Sequence, residues 1–356
     1  MYNRTVTRWL ITTASLLLRL ASGAQEAEQL KAAYTHLQQG DATQTVRECK
    51  AVLAANPRSA PAHMLLGQAY LSRGDIAMIG EAKAELQQAL DLDASLIWAR
   101  FYLARVYLDQ GINEKAKEQL ERGLLDRPDV PHFLSLLGEV DRKLGNPSAS
   151  LELNRKALAI DANLTPAHYY LALAHLDLKQ DDAAIAELQT ALDSRYVTPE
   201  MYVALADLDI KRHKFAEAED LCRKAIALGG SRPEAYLMLA RVYNAQRAAD
   251  RALAALRLVL PEGKAFPASA FYAGIQADVS IEQGIAYQTK GLPVQAIEAY
   301  SRALEFDPNR GEAHGHLAEL YLTRGDSAHA LEHATAAEKL GATIGPALRG
   351  RIFAGR

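Results

Sequence analysis

The chain has 356 residues, of which 49% are apolar, 23% charged and 7% aromatic, with 22 Gly and 13 Pro, a globular composition that excludes a disordered chain. Basic residues number 40 against 43 acidic, a net charge of -3, so no polybasic field exists for nucleic acid or anionic lipid. Two cysteines, Cys49 and Cys222, are too few for a disulfide scaffold and lack the spacing of a zinc or redox pair, so each reads as a small buried apolar residue.

Residues 1 to 24 differ from everything after them. Arg4 and Arg8 precede the apolar run Trp9 to Leu18, and Ala21-Ser22-Gly23-Ala24 offers small residues before the acidic Gln25-Glu26-Ala27-Glu28. This arrangement resembles a secretory signal peptide, with processing expected near Gly23 or Ala24 and an exported, periplasmic or secreted bacterial-type protein as the implied destination. An apolar run of ten residues is too short to span about 30 Å of hydrocarbon, so no membrane span is expected in the mature chain. Arg19 interrupts the apolar region and keeps an uncleaved membrane anchor and a cytoplasmic lead-in open as alternatives.

From Glu26 onward the chain is self-similar at a fixed step, the signature of stacked supersecondary units. Repeats begin at Glu26, Ala60, Ile97, Pro131, Thr165, Pro199, Pro233, Ala277 and Gly311, and most steps are thirty-four residues. The second repeat carries three extra residues, read as Met78-Ile79-Gly80, and the seventh carries ten. The eighth position reads Ala33, Gly67, Ala104, Gly138, Ala172, Ala206, Ala240, Gly284 and Ala318, always one of the two smallest residues. Only close helix contact demands that. A second small position holds Ala82, Ala116, Ala184, Ala218, Ala252, Ala296 and Ala330, with Thr45 and Ser150 in the other two repeats. Tyr70, Tyr107, Tyr243, Tyr287 and Tyr321 keep helical spacing from the leucine-rich seventh position. Each repeat is therefore two short amphipathic helices joined by a tight turn. Gly40, Gly74, Gly111, Gly145, Gly291 and Gly325 supply the left-handed backbone there, a residue missing at Lys179, His213 and Arg247.

With these positions in phase, stretches such as Ala62-His63-Met64-Leu65-Leu66-Gly67-Gln68-Ala69-Tyr70 and Ala296-Ile297-Glu298-Ala299-Tyr300-Ser301-Arg302-Ala303-Leu304 resemble the tetratricopeptide repeat family. The resemblance covers residues 26–344 and implies an all-α fold, a right-handed superhelical solenoid of nine antiparallel helix pairs whose first helices line a concave groove. Pro261-Glu262-Gly263-Lys264-Ala265-Phe266-Pro267 reads as a loop before a lengthened helix over 268–290. Glu338 replaces the usual Leu in the last repeat, which suits a helix facing water as a cap. The tail 345–356 reads as short and frayed, unless Leu348, Ile352 and Phe353 fold back on that cap.

Catalysis needs convergent polar groups in a sequestered pocket, and the chain carries no phosphate loop, no nucleophile elbow and no separate domain to house one. No cofactor is expected. His329 and His333 share a helix face at four-residue spacing, with His314 and His316 earlier in the same repeat, but no Cys or carboxylate completes a ligand set; solvated surface histidines are the reading preferred over a metal site. His36 and His175 occupy the position usually held by Tyr and read as packing residues.

The family's carboxylate-clamp groove carries Lys and Asn on successive first helices. Here the Lys position holds Leu30, Met64, Phe101, Ser135, Tyr169, Val203, Leu237, Ile281 and Gly315, and the Asn position never holds Asn, so chaperone binding of that type is not expected. If the family's orientation holds, the groove mixes aromatics, arginines and Met64: Trp98, Phe101, Tyr102, Arg105, Arg142, Tyr169, Tyr170 and Arg241. Such residue types dominate binding energy at interfaces, although some of them also pack between repeats. The implied function is a non-catalytic scaffold or adaptor that binds a peptide or protein segment, with no nucleic-acid partner. The alternative is a structural subunit of an envelope or secretion assembly that makes contact through its ends or convex face.

Overall fold

The computed structural model describes residues 23–72, 78–229, 233–259 and 270–353. The apolar part of the leader, Gly74 and the loop expected at Pro261 to Pro267 lie outside the described residues. The chain divides into two units, Met1–Ser194 and Arg195–Arg356. In the first, α1 (Ala24–Gln38) pairs with α2 (Ala42–Ala55), α3 (Ala60–Ser72) with α4 (Ile79–Leu92), α5 (Ile97–Asp109) with α6 (Asn113–Asp126), α7 (Pro131–Lys143) with α8 (Pro147–Ile160) and α9 (Thr165–Asp177) with α10 (Asp181–Leu192). In the second, the pairs are α11 (Pro199–Lys211) with α12 (Phe215–Gly229), α13 (Pro233–Ala245) with α14 (Ala249–Val259), α15 (Ala270–Thr289) with α16 (Pro293–Phe306) and α17 (Gly311–Thr323) with α18 (Ser327–Lys339), closed by α19 (Pro346–Phe353). No strand occurs among the described residues.

Helix starts follow the repeat. Seven first helices begin at the first residue of their repeat, and Pro at the opening of α7, α8, α11 and α16 is pre-organised for that place because its missing N–H has no intrahelical partner to lose. Apart from α4, every second helix begins sixteen residues after its repeat does. Because α4 begins at Ile79, the three extra residues precede it, and Ile79 and Gly80 belong to the helix rather than to an insertion. The pair keeps its register and the connection absorbs the length.

Within each pair the small positions work as expected. Ala33, Ala104, Ala172, Ala206, Ala240 and Ala318 are wholly buried on first helices, as are all nine residues of the second small position, Thr45 and Ser150 included. The approach is closest where the eighth residue is glycine: a Cβ on Gly284 would lie 2.5 to 2.7 Å from three atoms of the Tyr300 ring, and one on Gly67 would lie 2.7 Å from Leu86. In the fourth repeat Asn154 takes the place held by Leu86, Leu120, Leu188 and Leu256 in four others, and its amide is satisfied by Ser135, Ser150 and the Ser150 carbonyl. Cys49 and Cys222 are buried and unbridged, and burial pushes each thiol up to about 12.

First helices also pack on first helices, α1 on α3, α3 on α5 and α7 on α9 in the first unit, α11 on α13 and α13 on α15 in the second. Among the described residues second helices make no comparable contact with one another, so in each unit the first helices form the closer-packed wall. Of the two readings of the tail, its described residues follow the fold-back. They form α19, and Leu348, Ile352 and Phe353 pack with Ala342 against Ala318, Ala334, Ala337 and Ile344, while exposed Glu338 receives Arg349 at 2.6 Å.

Every described first helix with a turn glycine ends the same way. Gly40, Gly111, Gly145, Gly291 and Gly325 have φ of 69 to 85°, and the following N–H closes on the helix's last turn, as in Ile112 to the Tyr107 carbonyl at 2.8 Å. Lys179, His213 and Arg247 adopt φ of 57, 59 and 58° and make the same closing bond, from Gln180 to His175, Lys214 to Asp209 and Ala248 to Tyr243. The turn survives loss of its glycine because the closing bond over-determines it, at a cost of about 1–2 kcal/mol for a left-handed side-chain-bearing residue. Replacing Lys179, His213 or Arg247 by Gly is expected to stabilise the chain by about 0.5–1 kcal/mol each, after the greater freedom of unfolded glycine is deducted. Urea denaturation measures it; a lower midpoint for all three variants would contradict the account.

Candidate functional site

On the first-helix wall of the first unit, the ninth residues of the first four repeats are Tyr34, Gln68, Arg105 and Glu139, and the sixth residues of the third and fifth repeats are Tyr102 and Tyr170. Tyr102 sits among Gln68, with which it is hydrogen bonded, Tyr34 and Arg105. Tyr170 feels Glu139, Arg105, Asp109 and Arg142. Burial pushes both phenols up, Tyr170 to about 12, so both remain neutral hydroxyls able to donate a hydrogen bond. Arg105 is exposed and forms no ion pair among the described residues. Its charge therefore acts on both tyrosines and on Asp109, whose carboxyl packing pushes up against the pull of Arg105 and Lys143.

The other expected groove residues divide by what they touch. Trp98 and Phe101 are half-buried and stack edge-on at 5.4 Å; both contact the fully buried Phe133 of α7, at 5.8 and 5.3 Å. They therefore join α5 to α7 and offer only their outer edges. Tyr169 lies against Tyr170 at 5.7 Å. Met64 is 3% exposed inside the core with Leu65 and Leu66, so it fills space between repeats and presents no contact surface.

Arg142 and Arg241 are already engaged. Arg142 holds Glu139 on its own helix at 2.7 and 2.9 Å and reaches Asp177 of α9 at 2.9 Å. Glu139 is almost wholly buried, and its hydrogen bonds are the main cause that raises the Arg142 guanidinium above its ordinary value. In the second unit Arg241 donates to Glu282 of α15 at 3.0 Å and lies 3.5 Å from Asp278, which also receives Arg310 at 2.9 Å. Asn244 donates to Glu282 at 2.8 Å, while burial pushes that carboxyl up against the pull of Arg241. These arginines join one first helix to the next. Glu139, Asp177, Asp278 and Glu282 were not singled out in the sequence; Glu282 stands out as a carboxylate in a mostly apolar column, whereas Glu139 and Asp177 sit in columns that are polar in most repeats and carry no such mark.

No group of three or more His, Cys, Asp or Glu side chains among the described residues converges as a metal cage. His175 is buried and bonded to Gln180 at 2.6 Å, and His36 is half-buried at 3.4 Å from Glu48. No helix among the described residues is long and apolar enough to cross a membrane.

The division between engaged and unengaged arginines sets an expected outcome. Arg142→Ala strands the buried Glu139 and is expected to cost about 2–4 kcal/mol of stability, whereas Arg105→Ala removes a solvated charge and costs less than about 0.5 kcal/mol. Denaturant titration of the two variants checks this, and equal losses would contradict the assignment.

Two tetratricopeptide repeat patterns match the sequence, one over residues 78–140 and the other over residues 30–96, 203–270 and 281–343. The human protein O-mannosyl-transferase TMTC3 is 27% identical over 144 residues, 36% of this chain and 15% of that protein. The chain thus spans a small part of the length of the curated relative it matches. Among solved structures, the APC/C hetero-tetramer Cut9-Hcn1 is similar in fold, with a TM-score of 0.70 at 16% identity, covering 93% of this chain and 63% of that one. A pattern recurring over more than half of the residues, on helix pairs that keep its register, places the chain in the tetratricopeptide repeat family.

Proposed function

We propose that the chain is a non-catalytic adaptor that holds a peptide or protein segment against the first-helix wall of its first unit. Tetratricopeptide repeats are in general protein-interaction scaffolds, and the fold is typically non-catalytic. The observation that carries the finer reading is Arg105: an exposed guanidinium without an ion pair among the described residues, acting on two neutral tyrosines from α5 and α9. Such a set suits a carboxylate flanked by apolar side chains, since the guanidinium pairs with the acid while the phenol rings cover apolar surface. Trp98 and Phe101 widen the apolar edge beside it. A library of short peptides carrying one Asp or Glu beside apolar residues, followed by the partner itself, tests it. Arg105→Ala and Tyr170→Ala are expected to weaken binding by about 1–3 kcal/mol each while the helical melt of Arg105→Ala stays unchanged. Unchanged affinity in both variants would move recognition elsewhere.

A second reading, contact through the outer faces of the second helices, is favoured by Leu125 on α6, 83% exposed, with Ile160 on α8 at 46%. Partner binding that survives Arg105→Ala and fails in Leu125→Asp would select it.

The adaptor is proposed to act after export, on the strength of Arg4, Arg8, the apolar run Trp9 to Leu18 and the small residues through Ala24. Removing residues 1–24 removes three arginines and no acid, which leaves a more acidic mature chain. Mass spectrometry of the native protein is expected to find a new N-terminus next to Gly23 or Ala24. An intact Met1 on cytoplasmic protein would overturn export.

A further inference from the structure

One side-chain clasp recurs along the stack. The fourth residue of a repeat reaches back to a carbonyl three residues before the repeat and across to the same place on its own second helix. His63 sets Nε2 3.1 Å from the Pro57 carbonyl and Nδ1 2.5 Å from Glu85. His168 sets Nε2 3.2 Å from the Ala162 carbonyl and Nδ1 2.6 Å from Glu187. Arg100 makes the same two contacts, with the Ala94 carbonyl at 3.1 Å and Gln119 at 3.3 Å. In all three the second helix offers an oxygen. The last repeat keeps His314 near the Pro308 carbonyl at 3.4 Å, but the residue opposite is His333, and the two Nδ1 atoms lie 2.9 Å apart.

We propose that this histidine pair makes the ninth helix pair, α17 and α18 with the closing helix α19, an acid-released end of the second unit. With Nε2–H of His314 donated to Pro308, its Nδ1 is an acceptor, and His333 donates Nδ1–H to it. One added proton on the far nitrogen of His333 keeps that bond but places a charge where burial and the His314 ring oppose it, which is the first loss. A second has nowhere to go but the shared space, where it would set two N–H groups face to face and two positive rings in contact. At His63 and His168 the group opposite is a carboxylate, which accepts from the ring, so no second ring nitrogen competes for the shared space.

The surroundings do not rescue the pair. On α18, the neighbouring His329 works against a charge on His333 and Glu332 works for it. From α17 the Tyr321 ring stacks on His333 at 5.6 Å and on His329 at 5.0 Å, without a carboxylate. The connection from α16 supplies the Pro308 carbonyl and Arg310, whose guanidinium is held by Asp278 and Asp307. Asp326 is committed to His329 at 2.7 Å, and Arg349 of α19 to Glu338. Burial first, and His314 next, push the His333 ring below its ordinary value. A histidine whose folded value lies below its unfolded one, near 6.5, gives its full stability above that pH and loses it as pH falls toward the folded value. The release therefore falls below about pH 6.5, ahead of the carboxylates.

Amide hydrogen exchange on the full chain at pH 7.5 and 5.0, corrected for intrinsic rates, tests the proposal. Protection in α17 and α18 is expected to fall by roughly tenfold or more relative to α3 and α4, whose clasp ends on Glu85. His333→Glu and His333→Gln install groups found at that place in other repeats and are expected to abolish the difference; should one variant lack native helicity at pH 7.5, the other carries the test. An equal change in the two pairs of the wild-type chain, or an undiminished acid loss in a folded variant, would overturn it.

Discussion

The structure depends on how closely two helices of one pair can approach. A residue no larger than alanine at the eighth position of every repeat, facing a second small residue, lets the second helix seat against the first. Everything larger is then directed outward from the pair, so that Leu65, Leu103, Leu120 and Phe133 bury themselves against neighbours and no pair completes a core alone. Where the opposing residue is an aromatic ring, as Tyr300, even a methyl group is too much and glycine is required. Stability is thus a sum of nearest-neighbour terms, and the outer side of the ninth pair is covered by a single helix. Helix α19 does this with Leu348, Ile352 and Phe353.

Because first helices pack on first helices, polar side chains along that wall meet partners one or two helices away. Arg142 and Arg241 are used up in this manner, each tying a carboxylate that is nearly buried. A wall stiffened by such pairs presents few uncommitted charges. Arg105, near Tyr102 and Tyr170, is the one among the expected groove cations that forms no ion pair among the described residues, and on the proposed reading its charge serves a partner. The half-buried tyrosines beside it have fewer side-chain states to lose than a fully solvated side chain, which supports the proposed place.

The helix pairs were legible in the sequence because the rules that make them are local: small residues in phase, a left-handed turn, proline at helix starts. Even the turns lacking glycine at Lys179, His213 and Arg247 obey the repeat, since the closing hydrogen bond sets their backbone. The site was less legible. Met64 shares its column with groove residues, yet burial depends on what the next repeat places over it. The Arg142–Asp177 and Arg241–Glu282 pairs span about one repeat, and a single column of residues does not state which opposite charges will meet. His314 and His333 were visible as residues sharing a repeat, but their contact is read only by comparison with the His63–Glu85 and His168–Glu187 clasps.

The central claim is that recognition occurs on the first-helix wall around Arg105 rather than on the outer second helices. Site-specific photo-crosslinking decides between the two surfaces directly, with the photoreactive residue placed at Tyr169 in one variant and at Leu125 in another, in the native compartment. The account predicts a discrete partner adduct from position 169 that disappears when Arg105→Ala is added, and none from position 125. An adduct from position 125 that is insensitive to Arg105→Ala, with none from position 169, would contradict it.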